Sequence, residues 1–293
     1  MNTSAAINFN QGSLFEVIEN RIAHPVVNYS NLSVKNDEYN NAIFCEINEH
    51  APAYFSNQML ADLKETMNQV TSRESIKYLI IASKIPGIFS LGGDLQLFRK
   101  YIEQGNKAAL KEYGTKAVDL VYALVSSHQR GIQSVALVEG KAYGGGFEAV
   151  LASDVIIASE DAHFSFPEII FNLFPGMGAY TLLRRRVSSA QARHLISSGK
   201  TYPATAMHEM GIIDYLTKPG RAREFLYDYM FRNKNRFNGL TAIQRAIDIR
   251  EPVSFDELTQ VVNIWVEAAL ALTDRDLRKM ELLIRSQKKM LAG

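Results

Sequence analysis

"AYGGGFEAVLASD", residues 142–154, sets three consecutive glycines against a small-residue helical pattern that carries a carboxylate, Glu148. A glycine inside a helix costs about 1 kcal/mol relative to alanine. Three of them at a helix start imply that something approaches the main chain too closely for a side chain. The stretch follows one apolar run, Ser134–Gly140 (SVALVEG), and precedes another, Val155–Ser159 (VIIAS). Short apolar runs of this kind are typical of buried strands. A strand that ends in glycines and passes directly into a helix is the junction of a βα unit.

The same junction recurs upstream. Tyr78–Ser83 (YLIIAS) reads as a buried strand and is followed by "SLGGDL" at Ser90–Leu95. A helical stretch then runs from Asp94, through Leu95, Leu97 and Phe98, to about Ser126. Further back, Ser13–Glu19 and Ala42–Glu49 read as strands. From Ser56, a candidate N-cap, Met59, Leu60, Leu63, Met67 and Val70 recur at helical spacing. The alternation predicts an α/β fold with a largely parallel sheet. After Ser188 the pattern is mainly helical, with "SAQARHLISSG" closed by Gly199 and a C-terminal periodicity through Trp265, Leu270, Leu277, Leu282 and Leu283. The expected division is a sheet-based catalytic core over residues 1–220 and a helical region over residues 221–293, packed back on the core or on another subunit.

Composition narrows the class. The chain has 293 residues, 47% hydrophobic and 22% charged, with a net charge of +1. That balance gives no global electrostatic footprint for nucleic acid. The single Cys45 excludes an internal disulfide and a Cys-rich zinc site. The six histidines show no ligand spacing, so no metal is expected; His163 and His194 read as structural or surface residues. No apolar run reaches membrane-spanning length, and the N-terminus lacks the pattern of a signal peptide. The expected location is the cytoplasm, away from membranes.

The chemistry lies in the glycines and glutamates. Both glycine turns stand where a strand meets a helix start, so unpaired N–H groups and the helix dipole favour negative charge there. Neither turn is followed by a P-loop lysine, and neither is GxGxxG. Two convergent turns suggest two amides aimed at one oxygen, an oxyanion hole; ordinary tight-turn glycine is the alternative. Glu168, in "SFPEIIFNLFPGMGAY" (Ser165–Tyr180), sits amid Phe166, Ile169, Ile170 and Phe171. A charge there is costly unless paired or functional, and such a site raises a carboxyl pKa toward proton transfer. The alternatives are a rim residue or ion-pair partner for Glu168 and a favourable first-turn acid for Glu148. Asp94 reads as a helix cap. The run Arg184–Arg186 reads as a solvated helix face in preference to a contact with an acidic carrier protein or a phosphopantetheine phosphate.

"SLGGDL", "YGGGFE" and "FPEIIFNLFPGMGAY", in this order and spacing, resemble the crotonase (enoyl-CoA hydratase/isomerase) superfamily over residues 42–216. The resemblance implies repeated ββα units with a helical C-terminal region, usually in trimers or hexamers, and no cofactor. It implies an oxyanion hole for a thioester carbonyl, with donors at Gly93 and Gly145, and two proton-handling glutamates at Glu148 and Glu168. On this reading a side chain at Gly145 would obstruct the thioester oxygen.

The segments "GGGFEA", "LFPGMGAY" and "IWVEAALALTDRDLRKMELLIRSQKK" further resemble the diffusible signal factor synthases of Gram-negative bacteria. Ser90 stands where that pattern would put Asn, and the first forty residues carry little signal. This second resemblance implies dehydration of a 3-hydroxyacyl group on acyl carrier protein and cleavage of the thioester. The product this resemblance implies is a cis-2-unsaturated fatty acid that would serve as a quorum-sensing signal. Met177, Trp265 and Leu283 would line the acyl tunnel. It also allows a sensor histidine kinase as a partner. The competing readings are a conventional enoyl-CoA hydratase acting on CoA thioesters and a non-catalytic crotonase-like binding protein.

Overall fold

All but the last residue of Tyr78–Ser83 is buried, which a strand achieves only when both faces of its sheet are covered. The computed structural model describes residues 25–71 and 75–292; the strand expected over Ser13–Glu19 lies outside them. In chain order, β1 (Pro25–Asn28), β2 (Leu32–Asp37) and β3 (Ala42–Ile47) lead to α1 (Asn57–Thr71). The Ser56 hydroxyl caps α1 by accepting from Met59 N at 3.1 Å.

Three strand–strand–helix units follow. The first is β4 (Tyr78–Ser83), β5 (Ile88–Ser90), α2 (Leu95–Glu103) and α3 (Lys107–Val125). The second is β6 (Gln133–Val138), β7 (Lys141–Tyr143) and α4 (Gly145–Leu151). The third is β8 (Val155–Ser159), β9 (His163–Ser165), a 3-10 turn at Pro167–Phe171, α5 (Ala179–Arg184) and α6 (Ser189–Ser198). Then come β10 (Thr201–Pro203), α7 (Ala204–Glu209) and β11 (Tyr215–Thr217). The chain continues through α8 (Ala222–Asn233), α9 (Phe237–Arg250), α10 (Phe255–Leu270) and α11 (Asp274–Ala292).

The long strands form one sheet in the order β1-β2-β3-β4-β6-β8-β11, and the short ones a second in the order β10-β9-β7-β5. From β3 to β11 the first sheet is parallel. Alternation along its strands divides the core. Phe44, Tyr78, Ile80, Val135 and Ile157 face α8, where Leu226 and Met230 cover them. Ile43, Cys45, Leu79, Ile81 and Ile156 face the main core, which includes α1 and α3. Burial pushes the Cys45 thiol up to about 12, so it stays an inert core group.

The structure departs from the sequence pattern in three places. The helix expected from Asp94 to about Ser126 is two helices. Asp94 Oδ1 caps α2 by accepting from Leu97 N at 3.0 Å. Gly105 then breaks the run at φ +61, and Asn106 caps α3. The region after Ser188, read as helical, contains β10 and β11. Finally, Arg184–Arg186 is a set of internal clamps. Arg184 donates to Val187 O at 2.6 Å, and Arg185 donates to Asp248 Oδ1 at 2.7 Å and Glu251 O at 3.0 Å. Arg186 reaches Ser153 O at 2.8 Å and Ile212 O at 3.0 Å. Arginine's fork suits such multiple carbonyl contacts, and these side chains are not left for a carrier protein.

These clamps surround a buried histidine. His128 Nδ1 lies 3.1 Å from Asp154 Oδ1, and Nε2 meets Asp248 Oδ2. Two carboxylates at both ring nitrogens call for protons on both, hence an imidazolium. Burial favours the neutral ring, but the hydrogen bonds and charges of Asp154 and Asp248 outweigh it and raise the pKa. A raised histidine contributes stability that is complete below its ordinary value of 6.5 and is lost as pH rises through the folded value. His128→Gln is therefore expected to lose about 3–5 kcal/mol near pH 6, with the gap to wild type narrowing as pH rises. Thermal melts across pH check this; a gap independent of pH would contradict it.

Candidate active site

The three motifs converge because their short strands are neighbours. β5 pairs in parallel with β7, with Ser90 opposite Ala142, and β7 pairs with β9, with Tyr143 opposite Ser165. Extending the first register three residues puts Gly93 beside Gly145. Gly144 N–H continues the second by donating to Ser165 O at 2.9 Å, and Glu168 follows three residues on. Strand ends thus deliver both glycine turns and the second glutamate to one place.

The glycines have separate reasons. Gly92, at φ +97, lies so close to the second turn that a Cβ would stand 2.9 Å from Tyr143 O and 3.0 Å from Gly145 N. A Cβ on Gly146 would lie 2.5 Å from Ser90 O, a main-chain atom that cannot yield. Gly144 has φ +51 and faces the Glu168 carboxylate. At Gly145 a side chain would first meet the Met177 sulfur, at 2.8 Å, so the strict demands fall on its neighbours. Ser90 accepts from Gly92 N at 3.3 Å and so shapes the first turn. Among the described residues, neither Gly93 N–H nor Gly145 N–H has an acceptor. For Gly145 this follows from its place at the first position of α4.

Glu148 is fully buried, and Glu168 is half-buried with its Oε2 closed off from solvent. Glu148 is 1% exposed, and its Oε1 accepts from Met177 N at 2.7 Å and Ala179 N at 2.9 Å. Burial pushes Glu148 up to about 8; the nearby Glu168 charge adds to this, and the two amides oppose it. Burial pushes Glu168 up to about 7, opposed by its own amide. Its Oε2 is buried with no partner among the described residues. The two are coupled, and their protons leave the pair in joint steps.

One cavity joins these groups. Gly93, Gly145, Glu148, Glu168, Met177, Trp265 and Leu283 all line it, and its space including the mouth is about 590 Å³. The structure therefore brings every site residue proposed from the sequence to one chamber. Its far wall is aromatic: Phe98 meets Tyr113 edge-on at 4.8 Å and Trp265 at 5.0 Å. Helix α11 supplies Leu283 and is held by Arg99–Glu281 at 2.7 Å and by Gln287 Nε2 donating to Leu91 O at 3.3 Å. Beyond it lies an outer groove that shares Leu91, Leu95 and Gln287 with the chamber. Sequence reasoning missed Tyr113 and Gln287. The one signal near Tyr113 is mid-helix Gly114, whose missing Cβ makes room for Val262 of α10. Among the described residues no cluster of His, Cys, Asp or Glu could hold a metal ion.

A carboxyl raised on folding costs nothing below its ordinary value of 4.5. It costs progressively more as pH climbs to the folded value, and the full amount above it. Glu168→Gln removes the charge. It should melt with wild type near pH 4 and above it at about pH 8. A difference of melting temperature that does not grow with pH would contradict the burial of this charge.

A family profile described as enoyl-CoA hydratase/isomerase matches residues 39–220. The peroxisomal fatty acid beta-oxidation multifunctional protein AIM1 of Arabidopsis thaliana is 30% identical over 162 residues, which make up 55% of this chain and 22% of that protein. Rat mitochondrial methylglutaconyl-CoA hydratase is 25% identical over 172 residues, 59% of this chain and 52% of that protein. This chain thus spans about half, or less, of the length of these curated relatives. Among solved structures, an enoyl-CoA hydratase from Mycobacterium avium subsp. paratuberculosis superposes with a TM-score of 0.74 at 18% identity, covering 88% of this chain and 97% of that one. Pseudomonas aeruginosa DspI does so with a TM-score of 0.69 at 22% identity, covering 80% and 93%. Those two likenesses speak for the fold. With the profile covering more than half of its length and its three motifs meeting in one chamber, the chain belongs to the enoyl-CoA hydratase/isomerase family, the crotonases.

Proposed function

We propose that this chain dehydrates a 3-hydroxyacyl thioester and then cleaves the thioester, releasing a cis-2-unsaturated fatty acid of the diffusible signal factor class. The observation that carries the chemistry is the raised Glu168 carboxylate, whose buried Oε2 has no partner among the described residues, beside the Gly93 and Gly145 amides, which have no acceptor among them. A buried carboxylate oxygen with no protein partner is costly, and accepting a proton from a substrate offsets that cost. Glu168 removes the C2 proton. The electron pair moves to the thioester oxygen, held by Gly93 and Gly145 N–H as an enolate. Glu148 gives its proton to the 3-hydroxyl, the C3–O bond breaks, and water leaves. Both carboxyl groups are raised toward neutrality by burial, so the pair can hold one proton to give and one site to receive. In the second step water attacks the thioester carbon, the same amides hold the tetrahedral oxyanion, and the C–S bond breaks to yield acid and carrier thiol.

The apolar chamber walled by Trp265, Met177 and Leu283 suits an acyl tail. The outer groove, with His50 and Lys288 at its rim, is the side from which an acyl carrier protein or CoA arm enters. Helices α10 and α11 close the chamber through Trp265, Leu283 and Gln287. Exposed Phe231, Ile249 and Ile264 support their burial in a homo-oligomer, a trimer or hexamer. The helices give no candidate membrane span among the described residues.

Conventional hydration of a 2-enoyl-CoA would use the same glutamates in reverse, and family membership favours it as the second reading. Mass spectrometry of free acids released from 3-hydroxyacyl carrier protein separates the two. Wild type should release an unsaturated acid. Glu148→Gln and Glu168→Gln should lose about 10²–10⁴-fold in dehydration, with Glu148→Gln still cleaving a saturated acyl carrier protein slowly. Hydration of trans-2-enoyl-CoA with no free acid from either carrier would reject the proposal in favour of the hydratase.

A further inference from the structure

The first glycine turn is held by the irregular segment Ala53–Phe55. Leu91 N–H donates to Ala53 O at 2.6 Å, Phe55 N–H donates to Gly92 O at 2.8 Å, and Phe55 bridges Gly93 in parallel fashion. The next rung of a parallel ladder would join Asp94 N–H to Phe55 O. The Tyr113 hydroxyl occupies that rung. It accepts from Asp94 N at 3.3 Å and donates to Phe55 O. Tyr113 comes from α3, distant in sequence, and is 4% exposed. Its ring stands edge-on to Phe98 at 4.8 Å. Phe98 in turn fills the space a Gly93 Cβ would need, with Cζ at 2.5 Å from that position.

The consequence falls on the peptide planes flanking Gly93. The Gly92–Gly93 plane, which carries the Gly93 N–H, is held through Gly92 O by Phe55. The Gly93–Asp94 plane is held through Asp94 N by Tyr113. Glycine has no side chain to limit its own φ and ψ, so these two anchors fix the direction of its amide. Because the Tyr113 hydroxyl is engaged with two main-chain groups, it acts on the amide and not on the substrate.

We infer that Tyr113 is a positioning residue that aims the Gly93 amide at the thioester oxygen, an inference that rests on the oxyanion hole proposed above. Tyr113→Phe keeps the ring and deletes the anchor. The readout is the carbonyl stretch of a bound ¹³C-carbonyl decanoyl thioester, on acyl carrier protein or CoA, whichever binds more tightly. Binding of the matching thioether, which has no carbonyl, is measured beside it. Wild type should shift the stretch to lower frequency than in water. Tyr113→Phe should lose most of that shift and about tenfold in kcat for thioester cleavage, a fraction of what losing a donor outright costs. KM and thioether affinity should stay within about twofold. A variant that binds the thioether normally and keeps the full shift overturns the role of Tyr113 alone. A wild-type protein that binds neither thioester, or binds one without a shift, overturns the oxyanion hole itself and the inference with it. If the Phe variant does not fold, fluorotyrosine at 113, which weakens the hydroxyl as an acceptor, should reduce the shift in the same direction; an unchanged shift overturns the inference.

Discussion

The alignment of Ser90 with Ala142 between two strands of three residues each is the constraint on which the site depends. A parallel ladder fixes what lies opposite what, so once this register is set, Gly92 and Gly93 must meet Gly144 and Gly145. The main chains then come so close that Tyr143 O and Ser90 O stand where side chains would be. Slipping the ladder by one residue would turn side chains to the opposite face and separate the two amides. The long-stranded sheet, covered on both faces, serves as the rigid base from which these strands project.

The electrostatics follow from that geometry. Two carboxyl groups line one chamber with mostly apolar walls, and each is raised because its charge is poorly solvated. Glu148 is compensated by the Met177 and Ala179 amides, whereas Glu168 keeps one oxygen without a partner among the described residues. Such a pair lowers stability and supplies a proton donor and a proton acceptor near neutral pH. The Arg185–Asp248–His128–Asp154 network runs between the end of α5 and the end of α4. It ties α4, which carries Glu148, to α5, whose first residue Ala179 is one of the two amide donors to that carboxylate.

The sheet was legible because the patterns that encode it are local. Tyr78–Ser83 and Val155–Ser159 are strands with the bounds read from their apolar runs. The glycine and glutamate motifs pointed to the residues that line the chamber. The short strands β5, β7 and β9 escaped because three residues carry no usable alternation, although their pairing brings the motifs together. The break at Gly105 and Asn106 was hidden by Ile102 and Leu110, which sit at helical spacing across it and are both buried. Arg184–Arg186 and His128 were misread or missed for a different reason. The partners of Arg185, Arg186 and His128 lie tens of residues away, and a run of arginines looks the same on a surface as in a network of clamps.

The central claim is that Glu168 takes a proton from C2 while the two glycine amides hold the resulting enolate. Deuterium incorporation at C2 of a saturated acyl thioester in D2O, read in the remaining thioester and in any acid released, tests this step without the 3-hydroxyl. Wild type and Glu148→Gln should exchange a C2 hydrogen, and Glu168→Gln should not. Exchange that survives in Glu168→Gln, or that is lost in Glu148→Gln alone, would contradict the assignment of base and acid in this site.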